Sequence, residues 1–471
     1  MRTAIHLFLL ALVLTACAAA PSAPAVSARN DTAAVSALGV EGVEEAQLNP
    51  EFWIAQAASA DKLVLDSSAI AAQNLKLRKV DDSVVDLERI PAVLPQATVR
   101  QWIGDLSERP QRALYDVHGS EISAAQIDEL MTSINLDAVP ASQPTRYGLV
   151  VHRGDLRTFP TQQRVFSQRG DTDIDRFQEN ALFPGTPEVV AHESRDGKWW
   201  FVVSPLYAAW IEKDAVALGA AGEVFAYTRK SPYLVVTGAQ AHTVFAPERP
   251  EVSALQLDMG LRVPILADWP QNQPVNGQHP YTAYVVELPY RDADGSLRFT
   301  PALVPKTNDV ALDYLPLTRA NLLRQSFKFL GERYGWGHSY NARDCSGFVS
   351  EVYRSFAVEL PRNTSDQGVS PAFNRITLTK ADSHEARIAL LKQLQIGDLI
   401  YIPGHVMMVI GFEDGLPYII HDTTGVSYRD PKGAVTRVDL NAVSVTPLVP
   451  LLLGEEEPMI DRIYSIQRIR R

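Results

Sequence analysis

The sequence predicts a multidomain protein of the α+β class, in which a mostly helical N-terminal domain and two small β-barrels precede a C-terminal α+β domain. Its 471 residues are too many for one ordinary hydrophobic core. The 46% hydrophobic and 21% charged residues are typical of globular proteins. Apolar residues first recur at helical spacing, short alternating strands follow, and a helix-then-strand order closes the chain. We therefore expect several packed domains.

The net charge of the chain limits the kind of partner that it can bind. This charge is −11, and the sequence contains no dense cluster of Lys and Arg. Domains that bind nucleic acid usually carry such a cluster on one face, because the phosphate backbone is a polyanion. We therefore expect no nucleic acid as a partner.

The first residues have the pattern of an exported protein. Arg2 precedes an apolar stretch from Ile5 to Leu14 that is too short to cross a bilayer as a mature helix, so residues 1–16 are predicted to be a signal peptide. The small residues before Cys17 resemble the bacterial lipobox, in which the cysteine is diacylated and becomes the first mature residue. An ordinary signal peptide that is cleaved near Ala18 or Ala20 is the alternative.

The segment after Cys17 is predicted to tether the domains to a membrane. Residues 17–46 are assigned to this flexible tether because Ala, Ser, Pro and Val dominate residues 18–37. No Asp follows Cys17, and by resemblance to lipoprotein sorting rules this favours the outer membrane. We therefore expect a periplasmic lipoprotein whose membrane partner is reached through lipid on Cys17.

The order of helix and strand patterns sets the predicted domain boundaries. A helix start at Asn49 and helical spacing from Glu121 to Ile134 indicate the helical domain. Strand patterns such as Tyr147 to Val151, Trp199 to Val203 and Tyr281 to Leu288 are separated by Pro-Gly, Asp-Gly and Asn-Gly turns, which indicates two barrels in succession. The predicted domains are residues 47–140 (helical), 141–225 (first barrel), 226–312 (second barrel) and 313–471 (C-terminal α+β domain).

Cys345 is the residue on which the functional interpretation depends. The chain has two cysteines, and the lipid anchor uses Cys17, so Cys345 has no disulfide partner in an oxidising compartment. Apolar residues at helical spacing begin at Phe348, which places Cys345 in the first turn of an amphipathic helix with Asp344 as its N-cap. The N-terminus of a helix stabilises a thiolate, the nucleophilic form of cysteine, and the N–H of Cys345 can help to receive an oxyanion.

Two histidines downstream of Cys345 are predicted to share one β-hairpin. His405 opens a strand, residues 413–417 form a turn, and the returning strand ends at His421. Pairing about this turn brings the two histidines within about two residues of being opposite each other. One imidazole can deprotonate Cys345 while the other accepts its second N–H proton. Zinc held by the same residues is the alternative, but no CxxC or HExxH spacing supports it, and we expect no metal or organic cofactor.

Four short runs of the C-terminal domain carry a family resemblance: Asp344-Cys345-Ser346-Gly347, Gly397-Asp398, Gly404-His405-Val406 and His421. Together they resemble the NlpC-type family of bacterial cell-wall cysteine peptidases. This resemblance covers about residues 317–471 and implies a circularly permuted papain-like fold. The upstream part resembles an N-terminal helical domain followed by two bacterial SH3-like barrels, with matching runs at Arg157 to Pro160 and Tyr207 to Ile211. His338 departs from the pattern, because the family more often has a second Gly after Trp-Gly.

The resemblance implies a substrate and a role for each residue near Cys345. Members built in this way resemble γ-D-glutamyl-L-diamino-acid endopeptidases that act on murein peptides such as L-Ala-γ-D-Glu-diaminopimelate with a free N-terminal L-Ala. The implied roles are an oxyanion donor in Tyr334, ligands of the substrate amine in Asp344 and Ser346, closure of the L-Ala subsite by Tyr207, and an acyl-side pocket lined by Thr364 or Ser365. Structural explanations stay open for Asp344 and Ser346 (helix capping), Tyr334 (packing on Trp336) and Tyr207 (barrel core or rim).

Two other functions stay open from the sequence. The protein could be an endopeptidase of polymeric murein, which an open cleft would favour over a cleft walled off by the barrel of Tyr207. It could also be a non-catalytic peptidoglycan-binding lipoprotein, although the intact set of Cys345, His405 and His421 favours catalysis. The leaving amine can belong to diaminopimelate or to Lys.

Overall fold

A computed structural model describes residues 38–430, 432–454 and 456–470. The predicted signal peptide, the lipidation of Cys17 and the tether up to residue 37 lie outside these residues. No helix among the described residues is long and apolar enough to cross a membrane. The end of the predicted tether is ordered, because the hydroxyls of Tyr418 and Tyr428 donate to the carbonyls of Gly42 and Gly39.

The N-terminal helices divide between two neighbours. Helices α1 and α2 pack with the C-terminal domain, where the Trp53 ring lies on Gly411, which has no side chain in the way. Helices α3 and α4 pack on the first barrel. Short helices bury little surface alone, which explains why they share these cores. The elements are α1 (Pro50–Gln56), α2 (Ser67–Val80), β1 (Val93–Pro95), α3 (Gln96–Leu106), α4 (Ala124–Ser133) and β2 (Ser142–Pro144), with β1 and β2 antiparallel.

The first barrel is one seven-stranded sheet in the order β5-β4-β8-β7-β6-β3-β9. Every residue of β7 is buried, because Phe201 faces helices α3 and α4 while Trp200 faces the barrel interior. This explains the continuous apolar run that the sequence shows at this strand. The strands are β3 (Arg146–Val150), β4 (Gly154–Arg157), β5 (Gln178–Leu182), β6 (Pro187–Glu193), β7 (Trp199–Val203), β8 (Ala208–Glu212) and β9 (Val216–Gly219).

The second group of strands forms small antiparallel sheets, of which the longest pair is β14 with β15. A helix that the strand patterns did not predict, α5, links it to the first barrel and packs on β3 and β6. The elements are α5 (Ala221–Arg229), β10 (Tyr233–Val236), β11 (Gln240–His242), β12 (Gln256–Asp258), β13 (Arg262–Pro264), β14 (Ala283–Arg291), β15 (Leu297–Pro305) and β16 (Val310–Ala311).

The C-terminal domain packs helix α7 against a six-stranded sheet in the order β17-β26-β18-β19-β20-β23. A smaller sheet has the order β22-β21-β24-β25. The elements are α6 (Arg319–Phe327), α7 (Cys345–Arg354), α8 (Thr364–Val369), β17 (Asn374–Thr377), α9 (His384–Leu391), β18 (Leu399–Ile402), β19 (His405–Glu413), β20 (Leu416–Thr423), β21 (Val426–Arg429), β22 (Val435–Val438), β23 (Ala442–Pro447), β24 (Leu452–Leu453), β25 (Glu457–Pro458) and β26 (Ser465–Arg468). The predicted α+β multidomain fold is confirmed.

Candidate active site

Cys345 is the first residue of α7, as its apolar spacing predicts. The carboxylate of Asp344 caps the helix by accepting a hydrogen bond from the N–H of Gly347 at 2.8 Å. Phe348, Val349 and Val352 are fully buried against the sheet, so the helix is held by its apolar face. This packing fixes the position of the Cys345 thiol at the end of the helix that meets the start of β19.

The Cys345 thiol is buried, with 5% of the residue exposed. Its Sγ lies 3.6 Å from the hydroxyl oxygen of Thr364, and the N–H of Val406 also bonds to it. Burial, with the nearby charge of Asp344, raises the pKa of the thiol to about 12, and the Thr364 and Val406 bonds only partly oppose this. The sequence analysis expected the helix N-terminus to favour a thiolate. Burial acts in the opposite direction by raising the pKa of the thiol, so the free thiol needs a base at neutral pH.

His405 and His421 are the candidates for that base and its support. The ring nitrogens His405 Nε2 and His421 Nδ1 are 2.9 Å apart, and His421 Nε2 lies 3.1 Å from the hydroxyl of Thr446. The pairing of β19 with β20 sets this contact, since Met408 is opposite Ile420. If His421 Nε2–H donates to Thr446, then His421 Nδ1 accepts from His405 Nε2–H, and His405 Nδ1 is free to accept the thiol proton.

Burial keeps both imidazoles neutral. It lowers the pKa of His405 to about 4, and burial together with the neighbouring His405 ring lowers the pKa of His421 well below its usual value. A neutral imidazole can accept a proton, whereas a protonated one cannot. The pair is therefore in the form that a general base requires at neutral pH.

Asp344 already has a cation partner. Arg362 Nη2 donates to the Asp344 carboxylate at 2.7 Å, and Arg362 Nη1 donates to the Ser346 hydroxyl at 2.8 Å. Burial opposes ionisation of Asp344, but Arg362 more than offsets it, and the pKa of this carboxyl falls to about 2. Asp344 and Ser346 are thus beside the nucleophile as expected, but they are bound to an arginine whose role the sequence analysis did not assign.

The backbone and contacts of His338 explain how it fits a position where the family more often has glycine. Its backbone is left-handed, with φ of 64°, a conformation that favours glycine. The side chain is fully enclosed: Nδ1 accepts from Arg362 Nη2 at 3.0 Å, and Nε2 lies 3.1 Å from the Glu351 carboxylate. Burial lowers the pKa of His338 well below its usual value. These bonds offset the backbone cost and tie the loop to the residues that hold Asp344.

The first barrel forms one wall of this region. The indole N–H of Trp336 donates to the carbonyl of Gln178 at 3.0 Å, and the Gln178 amide donates to the carbonyl of Gly337 at 2.8 Å. Through these bonds strand β5 lies along the loop that leads to Cys345. On the next residue, Glu179, the carboxylate accepts from the hydroxyl of Tyr207. Burial, with the charge of Glu179, raises the pKa of Tyr207, so its phenol is protonated.

The remaining predicted site residues are Tyr334, Thr364 and Ser365. Tyr334 is buried near Cys345. Burial, followed by the negative charge of an ionised Cys345, raises the pKa of the Tyr334 phenol. Thr364 contacts the nucleophile. Ser365 is exposed and bonds to Asp366 instead, so of the two residues left open by the sequence, the structure brings only Thr364 to Cys345.

Two residues at the site were missed by the sequence analysis. Arg362 follows a Leu-Pro pair but carries no motif signal that separates it from a surface arginine. Glu179 lies in the first barrel, where its carboxylate accepts from Tyr207 and its backbone lies against Gly337 of the catalytic domain. Among the described residues no group of three or more His, Cys, Asp or Glu side chains is arranged to hold a metal ion.

Two parts of the chain match models of known protein families. Residues 331–444 match the NlpC/P60 family. The C-terminal domain belongs to that family. Residues 164–212 match an SH3 domain of the SH3b1 type and lie in the first barrel. NlpC/P60 proteins are cysteine peptidases, and Cys345, His405 and His421 all lie within the matched residues.

One solved structure supports the NlpC/P60 fold, and a second is also similar in part. An NlpC/P60 endopeptidase from Photobacterium damselae subsp. piscicida is 17% identical, with a TM-score of 0.70 over 88% of this chain and 95% of that one. An NlpC/P60 family protein from Bacillus cereus is 19% identical, with a TM-score of 0.46 over 69% of this chain and all of the other. At this identity the first similarity establishes the fold alone. A comparison with curated proteins found no match.

Proposed function

We propose that the protein hydrolyses the bond between γ-D-Glu and the diamino acid of murein peptides that have a free N-terminal L-Ala. The observation that carries this proposal is the position of Tyr207 and Glu179, which the first barrel places beside the loop of the catalytic domain. In this proposal the wall at this point admits a short peptide end and excludes a continuing chain. The diamino acid is diaminopimelate or Lys.

The free ammonium of L-Ala needs acceptors at that wall. Glu179 has hydroxyl donors in Tyr207 and Thr158, and no cation pairs with it among the residues that the structure describes. Asp344 carries a full negative charge but shares it with Arg362. A buried ammonium is stable only when carboxylates and hydroxyls satisfy it. Glu179 is therefore the primary acceptor in this proposal, with Asp344 and Ser346 contributing from the catalytic side.

The reaction proceeds by acyl transfer. His405 takes the thiol proton as Cys345 attacks the γ-carbonyl of D-Glu, and His421 supports the imidazolium that forms. The N–H of Cys345 and the phenol of Tyr334 donate to the oxyanion of the tetrahedral intermediate. His405 then protonates the leaving amine, and water hydrolyses the thioester with His405 again as base. Every proton in this sequence passes through His405.

Two further parts of the proposal concern location and alternatives. We place the protein at the outer membrane of the periplasm through lipid on Cys17, on the basis of the lipobox-like sequence alone. Action on polymeric murein is the second candidate for substrate, and the barrel wall at Tyr207 argues against it. A purely binding role is disfavoured because Cys345, His405 and His421 are all present and the two imidazoles are in contact.

The deciding experiment compares three substrates with purified protein. These are L-Ala-γ-D-Glu-diaminopimelate, its Lys counterpart and purified peptidoglycan, with Cys345→Ala as the inactive control. Release of L-Ala-γ-D-Glu from a free peptide, detected by mass spectrometry, supports the proposal. Cleavage of polymeric peptidoglycan without cleavage of either tripeptide overturns it in favour of the second candidate.

A further inference from the structure

The loop of residues 335–344, which leads to Cys345, has an unusual backbone. His338, Tyr340 and Asn341 have positive φ values of 64°, 62° and 56°, although none of them is glycine. Residues other than glycine rarely adopt this left-handed conformation, and they persist in it where surrounding contacts hold them. The conformation of the 335–344 loop therefore depends on residues outside it.

The second group of strands, β10 to β16, holds the end of this loop. Arg343 donates from Nη2 to Asp258 Oδ1 at 2.8 Å and to the carbonyl of Ala239 at 2.9 Å. The side-chain amide of Gln240 donates to the carbonyl of Asn341 at 3.0 Å. The side chains of Asp258 and Arg343 are fully buried, so water does not compete for the contact between them.

The first barrel binds the same carboxylate of Asp258. Arg153, which lies between β3 and β4, donates from Nη1 to Asp258 Oδ1 at 2.7 Å. From Nη2 it donates to the carbonyls of His338 and Ala342 at 2.8 Å and 3.0 Å. One carboxylate oxygen thus accepts from two arginines that both hold the 335–344 loop. The other oxygen, Oδ2, has no hydrogen-bond partner within the described part of the chain.

A series of buried side chains continues from Arg343 to Asp344. Arg343 Nε donates to one carboxylate oxygen of Glu351 at 2.8 Å, and the other oxygen lies 3.1 Å from His338 Nε2. His338 Nδ1 accepts from Arg362 Nη2 at 3.0 Å, and the same nitrogen donates to Asp344 at 2.7 Å. Each of these five residues is less than a tenth exposed. Because the series is packed and bonded at every member, a shift of Arg343 disturbs the carboxylate beside the nucleophile.

We propose that Asp258 is a positioning residue of the active site: through the hydrogen bonds that its Oδ1 accepts, it holds the 335–344 loop and so fixes Asp344 where the substrate ammonium meets it. The second group of strands is then part of the frame of the active site and not only an attached domain. This inference rests on the role of Asp344 in the proposed function. The competing explanation is that Asp258 joins the domains and contributes stability alone.

The charges around Asp258 allow its hydrogen bonds to be tested apart from its charge. Burial acts against the charge of Arg343, but three surrounding carboxylates raise its pKa above the usual value, those of Glu351, Asp258 and Glu332. Burial raises the pKa of Asp258, and Arg153 and Arg343 oppose this only in part. When a neutral residue replaces Asp258, Arg343 therefore keeps two carboxylate partners.

The test compares kcat/KM for the free and the N-acetylated tripeptide in the wild type, Asp258→Leu and Asp258→Asn. Only the free peptide uses acceptors of the ammonium, so Asp258→Leu should lower the free-to-acetylated ratio of kcat/KM at least about threefold. Asn keeps an accepting oxygen at the Oδ1 position, so Asp258→Asn should stay within about twofold of the wild-type ratio. Lost stability removes active enzyme and lowers both kcat/KM values equally, so it does not move this ratio.

Lys328→Met is the matched control, because it breaks a contact between the same two parts of the chain away from the loop. Lys328 Nζ pairs with Asp309 Oδ2 at 2.6 Å and donates to the carbonyl of Thr237 at 2.8 Å. The ratio in Lys328→Met should stay within about twofold of the wild type even where the unfolding temperature falls. If Asp258→Leu does not fold, Arg153→Met takes its place, because it removes donors to the same carboxylate and to two loop carbonyls.

Three results would overturn the inference: a ratio lowered less than about threefold in Asp258→Leu, a ratio that falls as far in Lys328→Met, and an Asp258→Asn variant as impaired as Asp258→Leu. If the wild type does not cleave the free tripeptide, or cleaves both tripeptides equally, the proposed function is wrong. The variants are then compared by rate per folded enzyme on the substrate that the wild type does cleave. There Asp258→Leu should lose at least about tenfold and Lys328→Met less than about twofold. A smaller loss in Asp258→Leu, or a similar loss in both, overturns the role of Asp258.

Discussion

His405 and His421, which are 16 residues apart in the chain, contact each other through Nε2 and Nδ1 at 2.9 Å. The hairpin of β19 and β20 creates this contact, and the hydroxyl of Thr446 on β23 continues it. In one tautomer of this hydrogen-bonded series, His405 Nδ1 carries no proton and is free to accept one. Three neighbouring strands therefore position the candidate catalytic base.

The first prediction concerns the nucleophile and its base. Cys345→Ala and His405→Ala should each reduce hydrolysis to background, because the two residues act as one unit and either loss removes the thiolate attack. His421→Ala should keep measurable activity, since it removes only the orientation of His405. Turnover of murein peptide and circular dichroism are measured together. Activity in folded Cys345→Ala would refute the cysteine mechanism.

A second prediction follows from the burial of His405. Its pKa is about 4, so it stays neutral above that value and is protonated below it. Hydrolysis should therefore fall as pH drops through about 4 rather than through the usual 6.5. The same sign applies to stability: because the folded pKa is depressed, stability is lost as pH falls from 6.5 toward 4. An acid limb of kcat/KM near pH 6.5 would contradict the low pKa and show that His405 is solvated.

The third prediction tests the barrel wall. N-acetylation of the substrate L-Ala removes its charge and leaves acceptors unpaired, at a cost of about 1–3 kcal/mol, so the wild type should cleave the acetylated tripeptide at least tenfold less efficiently. Glu179→Gln should reduce the difference in kcat/KM between the two peptides, because it weakens cleavage of the free peptide. Tyr207→Ala should reduce the same difference, because the smaller side chain admits the acetyl group and so improves cleavage of the acetylated peptide. Equal kcat/KM for both peptides in the wild type would remove the support for a closed subsite.

A fourth prediction compares a buried ion pair with an exposed one. Arg362→Met leaves Asp344 buried without its cation and should lower the free energy of unfolding by about 3–5 kcal/mol. Arg437→Met breaks the exposed pair with Asp439 and should change it by less than about 1 kcal/mol. Urea unfolding followed by fluorescence measures both. Similar losses in the two variants would mean that Arg362 does not hold Asp344.

The fifth prediction concerns the anchor. If Cys17 carries lipid, the expressed protein should partition into detergent, and Cys17→Ser should release it into the soluble fraction. Each buried methylene of an acyl chain contributes about 0.8 kcal/mol, which a polar tether does not offset. Detergent phase separation with immunoblotting measures the distribution. Wild-type protein found wholly in the aqueous phase would contradict lipidation.

The sequence by itself determined the elements that depend on local pattern. The apolar spacing after Phe348 predicted α7 and its N-cap Asp344, and the turn after Glu413 predicted the hairpin that pairs His405 with His421. Both follow from periodicity and capping, which are properties of neighbouring residues. His338 occupies a position where the resembled family more often has glycine, and its left-handed backbone agrees with that position.

Only the tertiary structure decided which distant side chains meet at the nucleophile. Arg362 and Glu179 carry no sequence pattern that separates them from surface residues, and their place at the site comes from burial and from contacts with residues that are distant in the chain. Burial likewise raises the pKa of Cys345, against the lowering expected from the helix N-terminus, because desolvation depends on everything packed around the thiol. Local pattern therefore set the backbone of the site, and long-range packing set its charges.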